Sequence, residues 1–212
     1  MQEGKPADPQ WLRWTRELQA IAQNGLHFTR DPYDRQRYEA LREIAAQMMA
    51  AGSDHPLEAI TGLFSSQAGY ATPKVDVRGV VFRDGRILLV RESQDGLWTL
   101  PGGWADPNES PAESVTREIQ EEAGFATRAV KLLAVYDREK QGQIPPFAFH
   151  VYKLFILCGI ESGEPTPSIE TLEVAFFPED ALPPLSTTRV TQSQIARCFE
   201  HFRHPGWPAD FD

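Results

Sequence analysis

Cysteine is almost missing from this chain: only Cys158 and Cys198 occur, far apart and without metal-ligand spacing. That excludes a disulfide framework and a cysteine-based zinc cluster, and two buried free thiols in a reducing cytoplasm are expected. Long hydrophobic runs are also missing. The opening MQEGKPADPQ has no apolar signal segment, and no stretch approaches the roughly 20 residues of a membrane span. A cytoplasmic protein with no membrane partner is expected. Positive charge is in deficit, with 21 Lys and Arg against 30 Asp and Glu and a net charge of −9. A stable nucleic-acid partner is therefore not expected, because neutralising a phosphate backbone requires a basic surface. A small phosphorylated substrate held through metal ions is not excluded. There are no internal repeats, and 212 residues allow one medium domain or a domain with a small appendage.

The most informative stretch is Gly102 to Phe125, GGWADPNESPAESVTREIQEEAGF. Its second half reads as a punctuated helix. Ser110 is a good N-cap, Pro111 suits the first helical position, Glu113 completes a capping box and Gly124 stops the helix. At 100° per residue Ala112, Val115, Ile119 and Ala123 form an apolar side, while Glu118, Glu121 and Glu122 cluster beside it. Two carboxylates 4 Å apart repel by roughly 4 kcal/mol at an effective dielectric of about 20. A helix selected for stability alone would interleave lysines. A hard divalent cation bound to oxygen ligands makes the arrangement tolerable; a solvated acidic face is the alternative.

Gly103, Glu109, Arg117, Glu118, Ile119, Glu121, Glu122, Gly124 and Phe125 fill every position of G-x5-E-x7-R-E-U-x-E-E-x-G-U, where U is bulky and apolar. The stretch resembles the Nudix box, at a chance rate on the order of 10⁻⁹ per starting point. The resemblance implies an α/β Nudix fold, a mixed sheet between helices. It also implies Mg²⁺ or Mn²⁺ held by Glu118, Glu121 and Glu122, with the Gly103 carbonyl able to join the metal shell. Arg117 is then expected to pair with Glu113 or a box carboxylate, and Glu109 to support the loop or reach the metal through water.

Upstream, Asp8-Pro9 opens a helical pattern with Trp11, Trp14, Leu18, Ile21 and Ala22 on one face and Gly25 closing it. A second helix follows Asp31-Pro32 with Tyr38, Leu41, Ile44, Ala45, Met48 and Met49 in a stripe up to Gly52, and a shorter apolar piece spans Leu57 to Phe64. Such helices expose too much apolar surface to stand alone. We expect a helical domain over 1–68 that packs and contributes to a homodimer, and a catalytic domain over 69–212. The arrangement is similar to the Nudix subgroup with an N-terminal helical domain, which includes nucleoside diphosphate-X hydrolases such as CDP-choline pyrophosphatase.

In the catalytic domain, Val75 to Phe82 and Arg86 to Glu92 read as strands joined by an Asp84-Gly85 turn. Arg78 and Arg91 on them are either phosphate-binding residues or ordinary surface arginines. Trp98 is expected in the core, and Trp104 either stacks a base or packs. Further strands are expected at Ala129 to Tyr136, Phe147 to Ile160 and up to Phe177, with a charged loop from Asp137 to Pro146 between the first two and a last helix from Thr188 to Phe202. The resemblance makes Glu170 and Glu173 candidates for a further ligand or general base, beside Glu118. The implied reaction is metal-dependent cleavage of a pyrophosphate bond in a nucleoside diphosphate linked to X, giving a nucleoside monophosphate and phospho-X. CDP-alcohols or ADP-ribose lead as substrates. The proline usual in ADP-ribose hydrolases is replaced by Lys140, and the tyrosine usual in dinucleoside polyphosphate hydrolases by Gly142. The alternatives are a nucleoside triphosphate or RNA 5′-end pyrophosphohydrolase, and a non-catalytic ligand sensor.

Overall fold

A computed structural model describes residues 9–143, 145 and 147–212. Asp8, expected to open the first helix, and Pro146, expected to end the charged loop, lie outside the described residues. The chain forms two compact units, Met1–Pro73 with Pro146–His150, and Lys74–Pro145 with Val151–Asp212.

The first unit is three helices, α1 (Gln10–Phe28), α2 (Pro32–Ala51) and α3 (Leu57–Ser65). Asp31 caps α2 by accepting from the amides of Tyr33 and Asp34, which satisfies two otherwise unpaired donors. The core is Leu12, Ala45, Ala46, Met49, Ile60 and Phe64. The face of α1 differs in part from expectation. Ala22 is buried and Trp11 and Leu18 pack against the core as expected, and Leu12, Thr15 and Gln19 are buried too, whereas Trp14 and Ile21 are 52% and 53% exposed. Gly25 lies inside α1, against the Tyr38 ring. The close approach of α2 at that point leaves Trp14 and Ile21 outside the buried stripe. Ile44 on α2 is likewise exposed. Residues 147–150 join this unit because Arg16 Nε donates to the Phe147 carbonyl at 3.0 Å and Ala148 packs on the helical core.

The second unit is a seven-stranded mixed sheet: β1 (Lys74–Arg83), β2 (Arg86–Glu92), β3 (Trp98–Thr99), β4 (Phe125–Asp137), β5 (Val151–Gly163), β6 (Thr171–Phe177) and β7 (Asp210–Phe211). The order is β3-β2-β1-β5-β4-β7, with β6 on β2. Helix α4 (Pro111–Ala123) packs through Val115, Ile119 and Ala123 on Val77, Val81, Leu88 and Val90. Helix α5 (Gln192–Arg203) packs through Ile195, Cys198 and Phe199 on Val80, Leu89 and Phe155. Alternation along β1 and β2 feeds both cores, because successive side chains point to opposite faces. Both cysteines are buried and free, and burial pushes each thiol up to about 12. Strand β5 begins at Val151, so Phe147 to His150 precede it, and β4 starts directly after Gly124.

The feature that builds the site is a splay between β1 and β2. They pair only beside their Asp84-Gly85 turn, at Phe82↔Ile87 and Arg83↔Arg86. Beyond that point β3 and the segment 101–105 fill the gap. The Val77 amide donates to Gly103 O at 2.8 Å, Gly79 to Pro101 O at 2.8 Å, and Ala105 donates back to Val75 O at 3.0 Å. Gly102 adopts φ +137°, and a Cβ there would come within 2.1 Å of Val77 O; only glycine tolerates that combination.

Candidate active site

Helix α4 carries the clustered acids. Ser110 Oγ accepts from the Glu113 amide at 3.3 Å and Glu113 Oε2 accepts from the Ser110 amide at 2.8 Å, the reciprocal capping box. At the other end Gly124 has φ +78°, and its amide donates to Gln120 O. With Glu113 occupied at the cap, Arg117 turns to the box acids. Its Nε donates to Glu109 Oε1 at 2.9 Å, Nη2 reaches Glu109 and Asp106, and Nη1 reaches Glu121 at 2.9 Å and Glu118 at 3.0 Å. Of the two partners open from sequence, the box carboxylates hold it. Glu109 acts as the loop-side anchor of the same guanidinium.

The three box glutamates sit in different environments. Glu122 is 6% exposed, and its Oε2 accepts from the Gly102 amide at 2.7 Å. Burial pushes its carboxyl up to about 8, reinforced by Glu118 and Glu92 and opposed by the Gly102 N–H and Arg78. Glu118 is half-buried and also raised, by burial first, although Arg117 pulls the other way. A Cβ at Gly103 would lie 3.2 Å from Glu118 Oε2, so the Gly103 backbone and the Glu118 carboxylate are neighbours. Glu121 is exposed on Arg117. The apolar side of the helix is Val115, Ile119 and Ala123 as expected, but Ala112 is exposed and Ser114 is buried. Burying Glu122 instead of a leucine is electrostatically costly, and the carboxylate oxygens gathered here suit a hard divalent cation.

The other sequence-derived residues divide. Arg78 is only 5% exposed, with Nε and Nη2 on the two oxygens of Asp76 at 2.8 and 2.7 Å and Nη1 on Leu100 O at 3.2 Å. It is a buried strut beneath the site, neither a surface arginine nor one with its fork free for phosphate. The reason is Asp76 two residues earlier on the same face of β1, which takes the bidentate pairing first. Arg91 donates to Gly96 O and pairs with Glu173 Oε1 at 3.0 Å, directly opposite in the β2–β6 register. Glu170 is exposed, within electrostatic reach of Glu92. Trp98 is in the core, edge-on to Phe177, and Trp104 is 46% exposed beside its bridge to Asp76.

Sequence reasoning missed Glu92. It is 7% exposed, paired with Arg189 at 3.2 Å, raised by burial, and close enough to Glu122 to help raise that carboxyl. Arg189 also holds Asp95 and Gln94, clamping the turn after β2 to the segment before α5. Alternation along β2 places Glu92 on the α4 side with Leu88 and Val90, a signal available in the sequence once α4 is assigned to that face.

The comparisons agree with this geometry. Residues 72–198 match the family model described as the NUDIX domain, and residues 9–64 match one described as a UDP-X-like N-terminal oligomerisation domain. The YjhB protein of Bacillus subtilis (strain 168), provisionally named an ADP-ribose pyrophosphatase, is 50% identical over 95% of this chain and 97% of its own length. A UDP-X diphosphatase structure covers 97% of this chain and 99% of its own at 32% identity and TM-score 0.61. An ADP-ribose pyrophosphatase from Streptococcus suis 89-1591 covers 66% of this chain and 100% of its own at 41% identity and TM-score 0.60. The splayed β1–β2 pair, the capped helix with its arginine-braced acids and these likenesses lead to one conclusion: the chain belongs to the NUDIX family, in the subgroup with an N-terminal oligomerisation domain, and is a Nudix pyrophosphohydrolase.

Proposed function

We propose that this enzyme hydrolyses the pyrophosphate bond of ADP-ribose, giving AMP and ribose 5-phosphate. The observation that carries the substrate class is the 50% identity across both units to a relative provisionally named an ADP-ribose pyrophosphatase. A UDP-linked substrate is the second reading, favoured by the match of the first unit to the UDP-X-like model and by the UDP-X diphosphatase structure.

Glu118 and Glu122, with Glu121 at the exposed edge and the Gly103 carbonyl as a further candidate ligand, would hold Mg²⁺ or Mn²⁺. The bound cation supplies charge neutralisation for the diphosphate and a better water nucleophile. Arg117 fixes the acids against their mutual repulsion and so pre-organises the donor set. Water attacks one phosphorus, the bridging P–O bond breaks, and the leaving phosphate keeps the bonding electrons. Glu173 is engaged by Arg91, whereas Glu170 is exposed near Glu92; we therefore favour Glu170 over Glu173 as the proton acceptor from the loop, beside Glu118. Arg91 and the exposed Trp104 remain our candidates for contacts to the phosphate and the base. Taking 1–68 as the helical domain and 69–212 as the catalytic one, the exposed Trp14, Ile21 and Phe28 at seven-residue intervals on α1 support a homodimer through the helical domain. Two free thiols support a reducing cytoplasm. Among the described residues no helix is long and apolar enough to cross a membrane.

The test incubates ADP-ribose, UDP-sugars, CDP-choline and nucleoside triphosphates with Mg²⁺ or Mn²⁺ and identifies both products. AMP and ribose 5-phosphate are expected, with turnover collapsing in Glu118→Gln. Inorganic pyrophosphate released from a triphosphate would select the house-cleaning alternative, and activity unchanged in Glu118→Gln would remove the site assignment.

A further inference from the structure

Lysine is rarely buried, yet Lys153 on β5 is 2% exposed. It stands opposite Asp76 in the parallel β1–β5 register, and its Nζ donates to Asp76 Oδ1 at 2.9 Å. Asp76 also takes the fork of Arg78, so one buried carboxylate serves two buried cations. An interior holding two cations on one anion is expensive unless further negative charge is near. Part of that charge comes from Glu92 and, once ionised, Glu122, both of which act on Arg78. Burial lowers Lys153 to about 8 despite Asp76, with Arg78 adding to the push.

The contacts run as a continuous chain. Lys153 holds Asp76, Asp76 holds Arg78, and Arg78 Nη1 holds Leu100 O at 3.2 Å. Two residues on, the Gly102 amide holds Glu122 Oε2 at 2.7 Å. We infer that Lys153 is a positioning residue for the metal-holding acids, acting through Asp76 and Arg78 on the 100–103 segment that orients Glu122. This rests on the reading of Glu118 and Glu122 as those acids. It explains why the fold maintains a buried lysine one strand away from a site it never touches. An apolar residue would leave Asp76 anchored by the Arg78 fork alone, so that the pair can shift together and the hold of Arg78 on the 100–103 segment loosens.

Positioning by Lys153 and simple charge counting give opposite signs. Deleting a cation near a cation site should tighten metal binding by Coulomb's law. Loss of positioning should weaken it, by about tenfold for a partner of this kind. Mn²⁺ titration followed by electron paramagnetic resonance on the full chain separates the two. Lys153→Met is expected to bind Mn²⁺ about tenfold more weakly than the natural protein, with kcat recovering at high Mn²⁺ and KM for the nucleotide unchanged. Lys153→Gln, whose amide can still donate to Asp76, should fall between them and is read in the same way if the methionine variant does not fold. Glu118→Gln is the control. Weakened binding in that control with natural or tighter binding in Lys153→Met overturns the inference and leaves the proposed site standing. Mn²⁺ binding indifferent to Glu118→Gln removes the site assignment and the inference with it.

Discussion

Replacing Glu122 by glutamine should separate what this side chain does for function from what it does to stability. Its carboxyl is raised from 4.5 to about 8, chiefly by burial. A group raised in the folded state gives its full contribution to stability below pH 4.5 and loses it as pH climbs towards 8. At pH 7 the unfolded chain has ionised while the folded chain still holds the proton. The gap of about 2.5 units corresponds to a ceiling of about 3 kcal/mol. Glutamine removes that penalty and keeps an oxygen for the Gly102 amide. It costs about 1 kcal/mol through a weaker hydrogen bond and an amide placed where an oxygen was. In EDTA, Glu122→Gln should therefore be more stable than the natural protein by about 1–2 kcal/mol at pH 7, and level or slightly less stable at pH 5. Glu118 and Glu92, also raised, remain in both proteins and largely cancel in the difference. Urea unfolding followed by circular dichroism at pH 5, 6 and 7 reads this directly. The same variant should lose pyrophosphohydrolase turnover and the stabilisation that added Mg²⁺ confers. A stability difference that stays flat between pH 5 and 7 would refute the assignment of Glu122 as a buried, strained acid.

Three other substitutions test the arginine brace, the helix stop and the exposed face of α1. Arg117→Met removes the brace shared by Glu109, Glu118 and Glu121; turnover should fall by about tenfold to a hundredfold, while thermal unfolding shows a loss of only about 1 kcal/mol for this partly exposed network. Gly124→Ala forces a Cβ to within 2.6 Å of Thr166 at a positive φ, and chemical denaturation should register a loss of about 1–3 kcal/mol. Ile21→Asp places a charge in the exposed stripe of α1 and should shift the species seen by light scattering to the monomer, with helix content unchanged by circular dichroism.

Much of the catalytic unit is legible in the chain because its signals are local. A capping box, an Asp-Gly turn and a C-terminal glycine each act within four residues, so Ser110, Asp84 and Gly124 announce their roles in the chain. The acid spacing on α4 is equally local. On α1 the expected face holds for Trp11, Leu18 and Ala22 but not for Trp14 and Ile21, because periodicity identifies a stripe of large apolar residues but not how much of it a neighbouring helix covers; α2 seats Tyr38 on Gly25 and leaves Trp14 and Ile21 outward. The extended reading of Phe147 to His150 failed for a related reason, since Arg16 on α1 binds the Phe147 carbonyl and removes that segment from the strand.

Residue type at fixed spacing suffices for the family, the acids available for chemistry and the ends of the helix that carries them. How those acids differ emerges only on folding. Glu122 is buried on a Gly102 amide, Glu121 is left outside on Arg117, and Glu92 and the Lys153–Asp76–Arg78 chain join the site from other strands. The physical reason is that ionisation and orientation depend on burial and on partners tens of residues away, and only the splay of β1 from β2 brings those partners together.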